Sequence, residues 1–398
     1  MNSAANDPTS GDTGAPRVRS TGPGPVGGTD VREACAVVVG ECPELPFLPE
    51  LADRGLGADL LGRTAAMLVD LPVDVSTRAW RLADAPGRAG RRAVDLLDRD
   101  LDALEEAVER ARPRGGVPGG DPLAGSGRAA REGVQVRVAG PWTLAARLEL
   151  PHGRLVLADA GARRELAASL LEGVAATARR LSERVGAPAR VVLDEPELWA
   201  VVAGAVPGPS EFDPVAAVAA ERASTALCRF GAGLRERGVA EVLARVPARP
   251  ADGPPAAWGV LVDPTRGERA LDGLVVDAGE LVPRGDALSR RGDREQPRDE
   301  RAVAALDAVS AALGDGFTLQ LEGAHRLAGL HAAPADPAAA ERAAAGVLGL
   351  LDRLAAPRWT TLDRLVLSPT PAETRGAGVL AALAGAARTA VVLPRVAE

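Results

Sequence analysis

Asp194 and Glu195 stand side by side at the end of an apolar run, Ala189-Arg190-Val191-Val192-Leu193, and Pro196 follows them. A β-branched run of this length reads as a buried parallel strand, and the proline ends it where a barrel presents its working face. A carboxylate fixed there is a partner for a cationic group such as an ammonium. The plainer assignment is that one of the two caps the following helix while the other meets solvent. His325 follows Glu322-Gly323 at the end of the Phe317–Leu321 run. A strand-end histidine suits a general base or a metal ligand, and the alternative is an ordinary loop residue. Gly140-Pro141-Trp142 also follows a strand-like run. Gly and Pro there mark a tight strand-to-helix turn, in which the indole either packs or stacks on a flat ligand.

These residues are carried by strand-like runs with helix-like stretches between them. The runs are a short entry at residues 17–20, then 134–138, 189–193, 240–244, 273–277, 317–321 and 365–367. This alternation predicts a parallel sheet with helices packed outside it. Val94, Leu97, Leu101, Leu104 and Val108 step by three and four, as do Leu166, Leu170, Val174 and Leu181 with one turn skipped, so both stretches read as amphipathic helices. Stretches near 113–127, 247–255 and 284–301 are rich in Gly, Pro or charge and read as surface loops. Residues 258–263 are the candidate for an eighth strand, although only residues 264–272 separate them from the next run.

Composition narrows the function. The chain has 398 residues, 46% hydrophobic, enough to bury a large core. It contains no Lys, Ile or Tyr, so all 47 basic residues are Arg, which marks codon usage more than nucleic-acid binding. A net charge of -7 argues against a phosphate-backbone partner. Cys35, Cys42 and Cys228 form no CxxC pair, which excludes a disulfide framework or a cysteine-rich zinc module, and Cys228 reads as buried and inert. Residues 1–16 read as a disordered tail, no run approaches a membrane span, and a cytoplasmic location is expected.

Four segments in order carry a resemblance. They are Thr21-Gly22-Pro23-Gly24-Pro25-Val26-Gly27-Gly28-Thr29-Asp30-Val31-Arg32; Gly140-Pro141-Trp142-Thr143-Leu144; Leu193-Asp194-Glu195-Pro196-Glu197-Leu198; and Leu365 to Pro371 with Glu373-Thr374-Arg375. Together they resemble the C-terminal catalytic barrel of the cobalamin-independent methionine synthases, in the superfamily that includes uroporphyrinogen decarboxylase. The resemblance spans roughly Thr21 to the C-terminus. It implies a (β/α)8 TIM-type barrel, here with an N-terminal helical elaboration, so that residues 17–398 form one barrel domain. The implied reaction is methyl transfer from a methylfolate to homocysteine or a related thiol, with zinc activating that thiol. The implied partners are a small amino-acid thiol and a folate-like ligand.

By the same resemblance Asp194 holds the amino acid's ammonium group, Glu50 is a second pocket carboxylate, and Trp142 and Thr143 belong to the substrate site. The metal ligands do not carry over. Arg245, in Arg245-Val246-Pro247, stands where the family has His-x-Cys, and Pro371 stands where it has the closing Cys. Asp277 is the one carboxylate in place of the family's Glu, and one carboxylate does not make a zinc site of three protein ligands. Pro25 replaces a substrate-binding Ser, removing a hydroxyl donor. Three functions follow from this pattern: a methionine-synthase-like methyltransferase with a degenerate zinc site, a non-catalytic paralogue that binds a small metabolite or partner, or a metal-independent enzyme of the superfamily in which Arg245 supplies fixed positive charge.

Overall fold

Strand residues alternate between apolar and polar types, and this alternation builds two different layers. The computed structural model describes residues 17–112, 131–208, 214–246, 271–281, 306–307, 309–310, 316–330, 336–354, 356, 361–375 and 378–397. Ten strands run in chain order: β1 Arg19–Ser20, β2 Val73–Val75, β3 Trp80–Leu82, β4 Val134–Ala139, β5 Leu148–Glu149, β6 Ala189–Asp194, β7 Glu241–Arg245, β8 Gly273–Asp277, β9 Thr318–Glu322 and β10 Leu365–Ser368. Seven of them form one parallel sheet in the order β1-β10-β9-β8-β7-β6-β4. The other three make a small sheet, β2-β3-β5. The proposed eighth strand at 258–263, the tail and the three predicted surface loops lie outside the described residues.

On one face of the sheet, Val134, Val136 and Val138 of β4, Val191 and Leu193 of β6, Leu274 and Val276 of β8 and Leu319 and Leu321 of β9 join the main hydrophobic core. The helices Arg88–Arg110 and Ala160–Val185 bury their apolar stripes in that same core. Removal of this apolar area from water is the main force holding the sheet and helices together. The opposite face carries Gln135, Arg137, Arg190, Asp194, Arg245, Gln320, Glu322 and Ser368. Its apolar residues are fewer: Val192, Leu243 and Val275 form a separate cluster, and Ala139 and Val366 lie on the same face. The inside of the curl is therefore mainly polar.

A single segment joins the two edges of this sheet. Leu48 N donates to Gln135 O at 2.9 Å and Gln135 N to Pro46 O at 2.8 Å, beside β4. Glu50 N donates to Gly24 O and Val26 N to Glu50 O, both at 2.8 Å, beyond β1. The expected eight-stranded barrel is thus seen as a curled seven-stranded parallel sheet whose edges both bind the segment 46–50. Arg63, 2% exposed, fixes that segment: its guanidinium donates to Pro49 O and Arg137 O, both at 3.1 Å, and lies 3.6 Å from Glu50.

The N-terminal region begins inside the sheet. β1 pairs with β10, and the helices Val31–Glu41, Leu60–Ala65 and Arg88–Arg110 lie between β1 and β4 in the chain. Val94, expected on the buried stripe, is 42% exposed and Ala93 packs instead, whereas Leu97, Leu101, Leu104 and Val108 are buried as expected. The small strands β2, β3 and β5 are too short to leave a periodic signal. The helix Val379–Ala397 is apolar and long enough to cross a membrane by length and composition, contrary to the expectation that no run approaches such a span. In this fold Leu383, Ala386, Ala390 and Leu393 bury one of its faces.

Candidate functional site

Register places strand-end side chains of one layer next to one another. Asp194 of β6 pairs with Arg245 of β7, and Glu322 of β9 pairs with both Asp277 of β8 and Ser368 of β10. Parallel neighbours in register point to the same face, so these side chains converge at the C-terminal end of the sheet. Arg137, two residues before the end of β4, reaches the same place. One Asp194 oxygen accepts from Arg137 Nη2, and the other accepts from Arg245 Nη1 at 3.4 Å. Arg245 Nε and Nη2 both reach Glu322 Oε2, at 3.1 and 3.0 Å. The four groups form a chain of alternating charge, Arg137–Asp194–Arg245–Glu322.

This chain is buried. The side chains of Asp194 and Glu322 are each 1% exposed, that of Arg137 8%, and that of Arg245 16%. Burial alone would lower the Arg245 pKa, but the Glu322 and Asp194 carboxylates overcome it and hold the guanidinium above its ordinary range. Burial pushes the Glu322 carboxyl up, against the pull of Arg245 and Arg137. Asp194, expected to hold a substrate ammonium, is in this structure already paired with a guanidinium at each oxygen.

Glu195 does neither of the things expected of a neighbour of Asp194. It neither caps the helix that follows it nor meets solvent: it is 0% exposed and accepts from Trp142 N at 3.0 Å and Thr143 N at 2.6 Å. It therefore caps the N-terminus of the helix Pro141–Arg147, on the adjoining strand connection. Burial pushes its carboxyl up to about 7, although the donated hydrogen bonds from Thr143 and Trp142 work in the opposite direction. A side chain at Gly140 would collide with it, since a Cβ there would lie 2.3 Å from Glu195 Cδ.

The remaining predicted residues are dispersed. Trp142 is 7% exposed, with its indole N–H donating to Ala223 O at 3.0 Å, so its ring is part of the core. Thr143 is buried, and its hydroxyl accepts from Glu197 N at 3.3 Å. Glu50 is 2% exposed beside Arg63. Asp277 is held by Arg326, at 3.0 and 3.1 Å. His325 Nε2 lies 3.1 Å from Glu373 Oε1, while Glu373 Oε2 accepts from Thr370 N and Oγ1. Burial alone would raise the Glu373 pKa, but the contact with His325 and the bonds from Thr370 bring it down to about 2. Cys228 is partly exposed rather than buried.

The four motif segments nonetheless meet. Arg137 Nη1 donates to Pro23 O at 3.1 Å in the opening loop, and Gly27 N donates to Thr374 O at 2.8 Å in the closing segment. Gly27 is closely packed there, because a Cβ would lie 2.3 Å from Arg375 O. Gly140 and Glu195 join the second and third segments. Arg137 and Glu322 lie outside the four motif segments, yet each occupies the polar phase of an alternating strand, Val-Gln-Val-Arg-Val and Leu-Gln-Leu-Glu. That phase was the available signal.

A zinc ion does not suit these donors. Arg245 is a cation with no lone pair to give, Pro371 has no side-chain donor, and the Asp277 carboxylate is engaged by Arg326. Among the described residues no group of three or more His, Cys, Asp or Glu is placed to hold a metal ion.

No family model matches the sequence, and no curated protein matches it. Among solved structures the chain is similar to a methyltransferase from Methanosarcina mazei, with a TM-score of 0.45 and 11% identity over 96% of this chain and 95% of that one. It is also similar to a protein from Listeria monocytogenes described as a vitamin-B12-independent methionine synthase, with a TM-score of 0.44 and 13% identity over 92% of this chain and 86% of that one. A third is a B12-independent methionine synthase from Shewanella sp. W3-18-1 in complex with selenomethionine, with a TM-score of 0.35 and 12% identity over 66% and 62% of the two chains. Likeness at this level assigns neither family nor activity.

Proposed function

We propose that this chain is a methionine-synthase-like barrel that binds a small metabolite at the C-terminal end of its parallel sheet and does not run the zinc–thiolate reaction. The observation that carries this reading is the place of Arg245. It stands at the strand end where the resemblance calls for metal ligands, and it bonds to Asp194 and Glu322. A thiol of pKa about 8.5 is mostly protonated at neutral pH and must lose its proton, as coordination to a metal would favour, to become the nucleophile. Two carboxylates already neutralise the guanidinium that replaces the metal. The family-like motifs support the placement of the binding site, since all four converge at this one end.

A second reading has an observation of its own. A guanidinium beside a thiol favours the thiolate, and Arg245 is the least buried member of the charged chain. Methyl transfer from a methylfolate to homocysteine or a related thiol would then proceed without metal. One assay separates the two. The purified full chain is incubated with methyltetrahydrofolate and homocysteine, with and without added zinc, and methionine is measured. No methionine above the protein-free rate is expected in either condition. Zinc-dependent turnover would overturn the proposal, and zinc-independent turnover would establish the second reading in its place.

A further inference from the structure

We infer that the metabolite taken at this end of the sheet carries a carboxylate, that Arg245 grips it, and that Glu322 is the internal carboxylate it displaces. The inference rests on the reading of this end as a metabolite site and names the chemistry that site selects. An arginine has five N–H donors in a planar fork that matches a carboxylate. Among the described residues three of Arg245's are engaged, and unevenly: Nε and Nη2 share the single oxygen Oε2 of Glu322, while Nη1 reaches Asp194 only at 3.4 Å. A carboxylate placed squarely on the fork would make two parallel bonds where Glu322 offers one oxygen.

Exposure sets the sign of the ligand. Asp194 and Glu322 are each 1% exposed at their side chains, and Arg245 is 16% exposed, so a molecule entering from solvent meets the guanidinium first. Arg326, 36% exposed, is paired with Asp277 at the same end, and the Glu280 carboxylate also acts on Arg245. Asp194, the group that an ammonium would seek, lies behind Arg245 with its other oxygen bound to Arg137. The selectivity is therefore opposite to that of a bare strand-end carboxylate. Glu322 shows that a carboxylate oxygen fits against Arg245 Nε and Nη2, and a ligand carboxylate would give each of these donors an oxygen of its own.

The test is isothermal titration of the full-length protein with glutarate, with neutral glutaramide and inorganic phosphate as comparisons. Two variants, Arg245→Lys and Glu322→Gln, are titrated in parallel after thermal melts establish that each is folded. Glutarate is expected to bind the natural protein at least about tenfold more tightly than either comparison. Arg245→Lys keeps the charge, loses the fork, and should weaken glutarate by about tenfold. Glu322→Gln removes the competing carboxylate and should tighten it several-fold. That second variant keeps the guanidinium, so it tests the inference even if Arg245→Lys does not fold. Absence of glutarate binding to both the natural protein and Glu322→Gln would overturn the inference, as would phosphate binding equally well. Methionine formation in the assay above would defeat the proposed function alone, whereas failed glutarate binding with no methionine formed would defeat this inference alone.

Discussion

Glu195 shows how far a single residue's environment departs from its sequence neighbourhood. Next to Asp194 it reads as half of an acidic pair, but it is sealed under the amides of Trp142 and Thr143 and its carboxyl is raised to about 7. The folded protein keeps that proton up to about pH 7, while the unfolded chain releases it near its ordinary value of 4.5. The folded state therefore binds more protons through this window, and stability falls as pH rises from about 4.5 to about 7, then levels off. The loss assignable to Glu195 is about 3 kcal/mol by linkage. Denaturant unfolding of the natural protein and Glu195→Gln across this pH range isolates it: the difference between the two should grow with pH, and parallel profiles would show that Glu195 does not hold its proton. Asp194 is bonded to side chains rather than to amides, with one oxygen on Arg137 and the other on Arg245. Asp194→Ala leaves Arg137 and Arg245 buried without it and should cost about 3–5 kcal/mol, read from the shift in denaturation midpoint.

At the scale of elements, Arg63 and Gly173 take on roles that the sequence does not show. The segment 46–50 has no regular ladder of its own, and Arg63 holds it through carbonyls of Pro49 and Arg137 while facing Glu50. Arg63→Met should destabilise by about 3–5 kcal/mol because it leaves Glu50 buried and unpaired, and Arg63→Met with Glu50→Leu should recover part of that loss. Equal losses in the single and double variants would show that Glu50 draws nothing from Arg63. Gly173 lies in the helix Ala160–Val185, and a Cβ there would lie 1.6 Å from Met67 O. Backbone cannot yield as a flexible side chain can, so Gly173→Ala should lower stability by about 1–3 kcal/mol, despite alanine's better helix propensity.

The elements also show what was legible in advance. The long strands and both long amphipathic helices announce themselves by period, and the strand-end position of Asp194 follows from the proline behind it. What was not legible depends on contacts across many residues. Arg137 reaches Asp194 from 57 positions away, and Arg63 reaches Arg137's carbonyl from 74 positions away. Trp142 is drawn into the core by a carbonyl 81 residues further on, at Ala223. No local pattern carries such pairings. The inward polar phase of β4 and β9 was present in the sequence and pointed to Arg137 and Glu322, but only the register of the sheet says that the two share one site.

The molecule as a whole joins an apolar layer between sheet and helices to a polar layer whose charged residues cluster at the strands' C-terminal end. Four motif segments that resemble those of methionine synthases meet there. A guanidinium stands between two carboxylates where the resemblance calls for a metal bound by thiolate and imidazole, and this exchange is the central claim of the account. Equilibrium dialysis of the full-length protein against zinc, with metal content measured afterwards, tests it most directly. The account predicts substoichiometric zinc that is unchanged by Arg245→Lys. One zinc retained per chain, and lost when Asp277 or Glu322 is replaced, would contradict it.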